Sequence, residues 1–189
     1  MTSITNTPAT LADLSGTYVL DAAHTRIGFV ARHAMITKVR GQFNEFDGSA
    51  VIDADDFTRS SAQLTIQAAS IDTRNEQRDG HLRSNDFLAL EEYPQITFVS
   101  TAVETTGPTS FDVTGDLTIK GVTNSVTIPF EFEGAATDPF GNLRVGFEGS
   151  TVINRKDYGI TWNAALETGG VLVSDKITLE FEVSAIKAV

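Results

Sequence analysis

The 189-residue chain contains no cysteine, which removes disulfides, thiolate catalysis and cysteine-ligated zinc. Proline is scarce, with five residues. No stretch approaches the ~20 apolar residues of a membrane-spanning helix. Cations are also few: 14 Lys and Arg stand against 25 Asp and Glu, a net charge of −11. An acidic surface repels phosphate backbones and anionic headgroups, so nucleic acid and membrane surfaces are not expected partners through overall charge. The same charge keeps a monomer or homodimer soluble. Signatures of catalysis are missing too. There is no Gly-x-Ser-x-Gly elbow, no P-loop, and no Gly-x-Gly-x-x-Gly following a strand. Asp53-Ala54-Asp55-Asp56 has calcium-like spacing but lacks the glycine and closing Glu of an EF-hand loop, so a solvated turn is expected. His24, His33 and His81 match no metal signature.

From Gly16 onward the chain alternates with a period of two. Ala62, Leu64, Ile66 and Ala68 alternate with polar neighbours, as do Phe111, Val113, Gly115, Leu117 and Ile119. Val126, Ile128, Phe130 and Phe132 follow the same rule, as do Ile177, Leu179, Phe181 and Val183. Such runs read as antiparallel strands with one apolar and one wet face. Weaker runs cover Thr17 to Leu20, Arg26 to His33, Val39 to Ile52 and Gln95 to Val103. Thr106-Gly107-Pro108 and the cluster from Asp138 to Asn142 mark turns. Asp47-Gly48 reads as a hairpin or as a bulge within one long strand. Pro129 removes a ladder donor and predicts a bulge or an edge. Residues 1–15, rich in Thr, Ser and Ala and without Lys or Arg, read as a flexible tail before one domain at 16–189. With no apolar run fit for a signal peptide, the expected location is cytoplasmic.

One stretch departs from the β pattern. Thr73-Arg74-Asn75-Glu76 has the form of a capping box and predicts a short helix from Asn75 to Arg83, with Thr73 as N-cap. Arg78-Asp79-Gly80-His81-Leu82-Arg83 is the densest polar segment. It reads equally as a locally paired helix surface and as a rim that meets an anionic or carbonyl head group. Arg155-Lys156-Asp157-Tyr158-Gly159 reads first as a turn with tyrosine packing and second as another polar patch at a mouth. Among twelve Phe, Phe29, Phe98, Phe111, Phe130, Phe147 and Phe181 fall on apolar faces. They form ordinary core, or the lining of an open barrel. Pattern alone does not separate a barrel from a sandwich, or a cavity from a solid core.

Ordered motifs extend the reading. They are Tyr18, Asp21-x-x-His24-Thr25-x-Ile27-x-Phe29, His33, Val39-Arg40-Gly41-x-Phe43, then Ser70-Ile71-x-Thr73. Arg78-Asp79-x-His81-Leu82-x-Ser84-x-Asp86-Phe87, Tyr93-Pro94-x-Ile96-x-Phe98, Gly115-x-Leu117-Thr118-x-x-Gly121-Val122-Thr123 and Arg155-x-Asp157-Tyr158-Gly159 follow. With these the chain, from about Gly16 to Ala185, resembles the YceI-like family of lipocalin-like polyisoprenoid-binding proteins. The resemblance implies an all-β fold: an extended antiparallel barrel of about eight strands with one short helix. It also implies an apolar tunnel holding an isoprenoid, a polyprenyl chain or a quinone tail, carried or buffered without chemistry. Strand parity and the resemblance together place ligand contacts at Phe29, His33, Phe43, Arg78, His81, Phe87, Phe98, Leu117, Ile128, Phe130, Phe147 and Phe181. No catalytic residue, metal or cofactor is expected. Glycines on the inward parity, Gly115 and Gly149, are expected to leave room beside the rings. Two rivals stay open: an enzyme on a small apolar substrate, with His33 or His81 as base and Arg78 as electrophile, and a solid-core stress or interaction protein.

Overall fold

Alternation makes strands here because every second side chain has an apolar face to bury. The computed structural model describes residues 11–167 and 169–188. Its strands are β1 (Gly16–Leu20), β2 (Arg26–His33), β3 (Thr37–Phe43), β4 (Phe46–Ile52), β5 (Ser61–Gln67) and β6 (Ile71–Asp72). After them come β7 (Gln95–Thr105), β8 (Ser110–Ile119), β9 (Val122–Thr137), β10 (Leu143–Asn154) and β11 (Lys176–Lys187). One α-helix among the described residues, α1 (Glu76–Arg83), lies between β6 and β7.

The sheet is antiparallel and closes on itself. The ring runs β1-β4-β5-β7-β8-β9-β10-β11 and is completed by β1 on β11, with Tyr18 opposite Lys187 and Leu20 opposite Ala185. Strands β2, β3 and β6 continue from the edge of β11 that β1 also uses. Three wall positions are therefore each filled by two successive strands: β1 then β2, β3 then β4, β5 then β6. The result is an eight-position antiparallel barrel of extended lipocalin type with one helix. Closure leaves no long open edge.

Each break is a bend whose backbone groups stay paired. Between β1 and β2 the Asp21 amide donates to Ser184 O (2.9 Å), and Thr25 Oγ1 exchanges hydrogen bonds of 3.0 Å with the Ser184 backbone. Asn44 N to Ser70 O (3.1 Å) and Gln67 N to Glu45 O (2.9 Å) carry the ladder across the other two. The weak run from Val39 to Ile52 is thus two strands bent at Asn44-Glu45. Gly48 sits mid-strand opposite Leu64, neither a hairpin nor a bulge. Pro129 lies where the β9–β10 ladder ends, one residue beyond Phe130 opposite Gly149. Asp53 Oδ1 accepts the amides of Asp55 (3.0 Å) and Asp56 (3.1 Å), closing an ordinary turn.

Two expectations change. The N-cap of α1 is Asn75, whose side chain accepts the Arg78 amide (2.9 Å). Thr73 is drawn instead to the buried Asp79, which accepts its amide (2.9 Å) and hydroxyl (2.5 Å). Residues 1–10 of the expected tail lie outside the described residues, while Leu11 and Leu14 within it pack onto the barrel. Leu14 is fully buried, and Tyr18 Oη donates to its carbonyl (2.9 Å). Leu11 and Leu14, three apart across a single 3₁₀ turn, fall on one side. They join Tyr18, Val145, Ala185, Phe132 and Phe147 in a cluster that plugs this end. At the other end lie α1, residues 84–94, the β8–β9 turn, the β2–β3 turn and the 155–175 connection.

Candidate functional site

Inside the ring is a cavity of about 340 Å³, within the range of about 300–1,000 Å³ seen for ligand pockets. Its wall is almost wholly carbon. It reaches from Leu11, Tyr18 and Phe147 at the plugged end to Phe87, Tyr158 and Ile160 under the helix. On β8 the lining residues run from Phe111 to Ile119. Eight steps at about 3.3 Å, tilted by about 40°, give ~20 Å along the barrel axis. The lumen is therefore long and narrow, the shape of a chain rather than of a compact solute.

Phenylalanine keeps it open by lying flat on the wall over glycine. Phe29 is directly opposite Gly41, and Phe130 directly opposite Gly149. A Cβ added at Gly41 would strike the Phe29 ring, at Gly115 it would come 2.5 Å from Phe98 Cζ, and at Gly149 2.6 Å from Phe130 Cδ1. The room that glycine leaves is thus taken by a ring pressed outward, not by the lumen. Phe29–Phe43 (5.8 Å between ring centres, tilted) and Phe130–Phe181 (5.9 Å, tilted) extend the aromatic surface.

Nine of the twelve expected contacts line the cavity: Phe29, Phe43, Phe87, Phe98, Leu117, Ile128, Phe130, Phe147 and Phe181. The three polar ones do not. Arg78 spends its donors on Thr73, with Nε to Oγ1 (2.8 Å) and a terminal nitrogen to the carbonyl (2.7 Å). His33 lies exposed at the end of β2, bridged to Val173. His81 is on the rim, with Nε2 2.9 Å from Asp86 Oδ2 and its ring edge-on to Trp162 (4.6 Å) and Phe87 (5.0 Å). The base-plus-electrophile arrangement of His33 or His81 with Arg78 is therefore not assembled at the lumen. Among the described residues no three His, Asp or Glu side chains gather as a metal site.

Polar residues that do line the cavity toward this end are Thr97, Arg155 and Tyr158, the last two from the 155–175 connection. Arg155 is 4% exposed. It donates to the carbonyls of Ser174 (2.9 Å), Ile160 (2.9 Å), Trp162 (2.9 Å) and Val173 (3.4 Å), with Asp175 3.7 Å away. One guanidinium thus ties together both arms of the 155–175 connection and roofs the lumen. Burial lowers its pKa, partly offset by Asp175. Tyr158 is 2% exposed, and its hydroxyl lies beside the Asn124 amide without a well-formed hydrogen bond. Asn124 donates instead to Asp157 O (2.9 Å). Burial pushes the Tyr158 phenol up.

Comparison with known proteins agrees with this architecture. A model of the YceI-like domain matches residues 18–185. A UPF0312 protein of Staphylococcus aureus strain N315 is 43% identical over 169 residues, covering 89% of this chain and 95% of its own. The crystal structure of BcnA from Burkholderia cenocepacia superposes with a TM-score of 0.77 at 27% identity, over 87% of this chain and 98% of that one. A polyisoprenoid binding domain from Saccharophagus degradans shares the fold at a TM-score of 0.69 and 18% identity, over 90% and 98% of the two chains.

Proposed function

The chain belongs to the YceI-like domain family, and from that premise we propose that it holds the apolar chain of an isoprenoid lipid in its lumen as a carrier or buffer. The supporting observation is the long carbon-lined cavity of about 340 Å³. Left unfilled, an apolar cavity leaves its lining atoms without partners on one side and forfeits their dispersion contacts. A prenyl chain offsets the loss without demanding polar partners, at about 25 cal/mol per Å² of apolar surface buried. A fold neighbour that is itself a polyisoprenoid binding domain agrees with this reading. Binding is favoured over catalysis because the polar candidates His33, His81 and Arg78 sit outside the lining. The solid-core alternative conflicts with the cavity.

Mass spectrometry of an organic extract of the purified protein tests the proposal, paired with thermal unfolding before and after delipidation. An intact prenyl lipid is expected. Ligand at about 100 times its Kd contributes about 2.7 kcal/mol, so delipidation lowers the midpoint by roughly 5–11 °C for a domain of this size. Recovery of no lipid, together with a midpoint indifferent to added prenol or quinone, overturns the reading.

A further inference from the structure

From Ala22 to Asn44 the chain has no Asp or Glu, in a protein that carries 25 of them. The same stretch holds Arg26, Arg32, Lys38 and Arg40 together with His24 and His33. It folds as the β2–β3 hairpin. At the hairpin's base the cations are balanced: Arg26 faces Glu182 in register, and Arg40 lies 3.7 Å from Glu180. At its tip they are not. Arg32 and Lys38 are cross-strand partners, and both side chains are exposed, with no ion pair among the described residues.

Between them the turn is apolar. Met35 is 63% and Ile36 80% exposed. Ala34 (φ 52°) and Met35 (φ 61°) occupy the left-handed region, where Asn-Gly is the favoured choice. Local turn chemistry is thus set aside in favour of apolar side chains: Ile36 stands out in solvent, and Met35, though largely exposed, lays its sulfur on Gly170. The adjoining 164–172 segment is joined by Ala34 N to Leu172 O (2.7 Å). It adds Val171, 39% exposed, and one acid at its own turn, Glu167. Asp175 faces the other way, toward Arg155 and Lys156. The strand that carries the tip also lines the lumen, at Phe29 and Ala31, as does Val173 beside it.

We propose that the 33–37 turn is a docking finger for the surface of an anionic lipid bilayer, with Met35 and Ile36 entering the headgroup region and Arg32 and Lys38 meeting lipid phosphates. The net charge of −11 does not oppose this, because repulsion is screened beyond about 8 Å at physiological salt. The charges nearest the bilayer then weigh most: the tip cations first, and behind them the exposed acids of the same end, Asp86, Glu91, Glu92 and Glu167. Each cation near an anionic surface contributes roughly fivefold to partition. Docked this way, the helix end of the cavity faces the membrane. The inference concerns the surface and stands whether or not the lumen holds an isoprenoid.

Co-sedimentation with vesicles tests it. The full chain should pellet with vesicles of phosphatidylcholine mixed with phosphatidylglycerol, not with phosphatidylcholine alone, and high salt should release it. Ile36→Asp should lower partition at least about tenfold, since it removes an apolar anchor and adds a repelled charge. Arg32→Gln with Lys38→Gln should lower it about 25-fold, fivefold for each cation. All these residues are exposed, so thermal midpoints should hold. Phe140, 87% exposed at the opposite end of the barrel, is the control: Phe140→Ser should leave partition unchanged. No partition into anionic vesicles overturns the proposal. So does partition indifferent to the finger variants, or cation-dependent binding to polyglutamate in place of vesicles, which would mark an acidic protein as the partner.

Discussion

Gly41→Ala isolates the device that keeps the lumen open. At Gly41 the three nearest atoms to an added Cβ all belong to the Phe29 ring. Its backbone lies outside the left-handed region, so alanine is otherwise permitted. Without the ring, Gly to Ala would stabilise by about 0.4–1 kcal/mol through the unfolded chain. With it, Phe29 must swing off the wall into the cavity it lines. Overpacking of this kind costs about 1–3 kcal/mol, a fall in thermal midpoint of roughly 2–12 °C. If the displaced ring excludes two or three methylenes of a bound chain at about 0.8 kcal/mol each, affinity for a prenol drops by roughly 30-fold. The assay is a double-mutant cycle with Phe29→Leu, read by thermal unfolding of delipidated protein and by prenol titration. In the Phe29→Leu background Gly41→Ala should cost less than about 0.5 kcal/mol, because the obstructing ring is gone. Additive losses in the two backgrounds, or a stabilised Gly41→Ala single variant, would refute the ring-on-glycine reasoning.

Two further outcomes follow, one from the plugged end and one from acid. Leu14→Ala should destabilise by about 2–5 kcal/mol, and deletion of residues 1–15 by at least as much, because Leu14 is fully buried with Leu11 against the barrel; an unmoved thermal midpoint would return these residues to a tail. Asp21 is held below its ordinary 3.8 by hydrogen bonds from Arg144 and His24. At Asp138 burial acts to raise the pKa, but the Asn142 amide, Arg144 and the Phe140 amide together lower it to about 2. Carboxylates depressed in the folded state stabilise it fully above their unfolded pKa, and that contribution is lost as pH falls through the folded value. Acid unfolding should therefore gain a contribution between about pH 4 and pH 2, and Arg144→Gln should move its midpoint upward in pH; an identical acid profile for the variant would count against the network.

Much of the barrel is legible in the sequence because strand alternation is a local signal. All six phenylalanines assigned to apolar faces line the cavity. The bends are less visible, yet they leave a trace: inward parity flips at each one. Tyr18 and Leu20 give way to Ile27, Phe29 and Ala31; Gly41 and Phe43 give way to Phe46, Ala50 and Ile52; Leu64 and Ile66 give way to Ile71. The polar site residues are harder to read for a different reason. Arg78 binds Thr73, five positions upstream, and Arg155 binds backbone carbonyls of residues 160, 162, 173 and 174. Side-chain chemistry announces a charged residue, but a backbone acceptor has no sequence signature. The exposed Met35 and Ile36 carry no signal of their own, because a short apolar turn looks, in one dimension, like the end of a strand.

Whether this barrel is hollow or solid turns on pairs rather than on composition. Eight wall positions enclose an interior just wide enough for side chains to fill or for one ligand to occupy. Twelve Phe in 189 residues are enough to fill it if the rings project inward. They do not project where the strand opposite offers glycine, because a ring gains more contact lying on bare backbone than standing in an open lumen. Phe29 on Gly41, Phe98 on Gly115 and Phe130 on Gly149 therefore thin the wall at three places where any other residue would thicken it. The identity of each pair follows from register, and register follows from the turns that join the strands: β2 to β3 for the first pair, β7 to β8 for the second, β9 to β10 for the third. A sequence with the same phenylalanines and the glycines moved by one position would present nearly the same hydrophobic pattern and close the cavity, since a one-residue shift carries each glycine to the outer face.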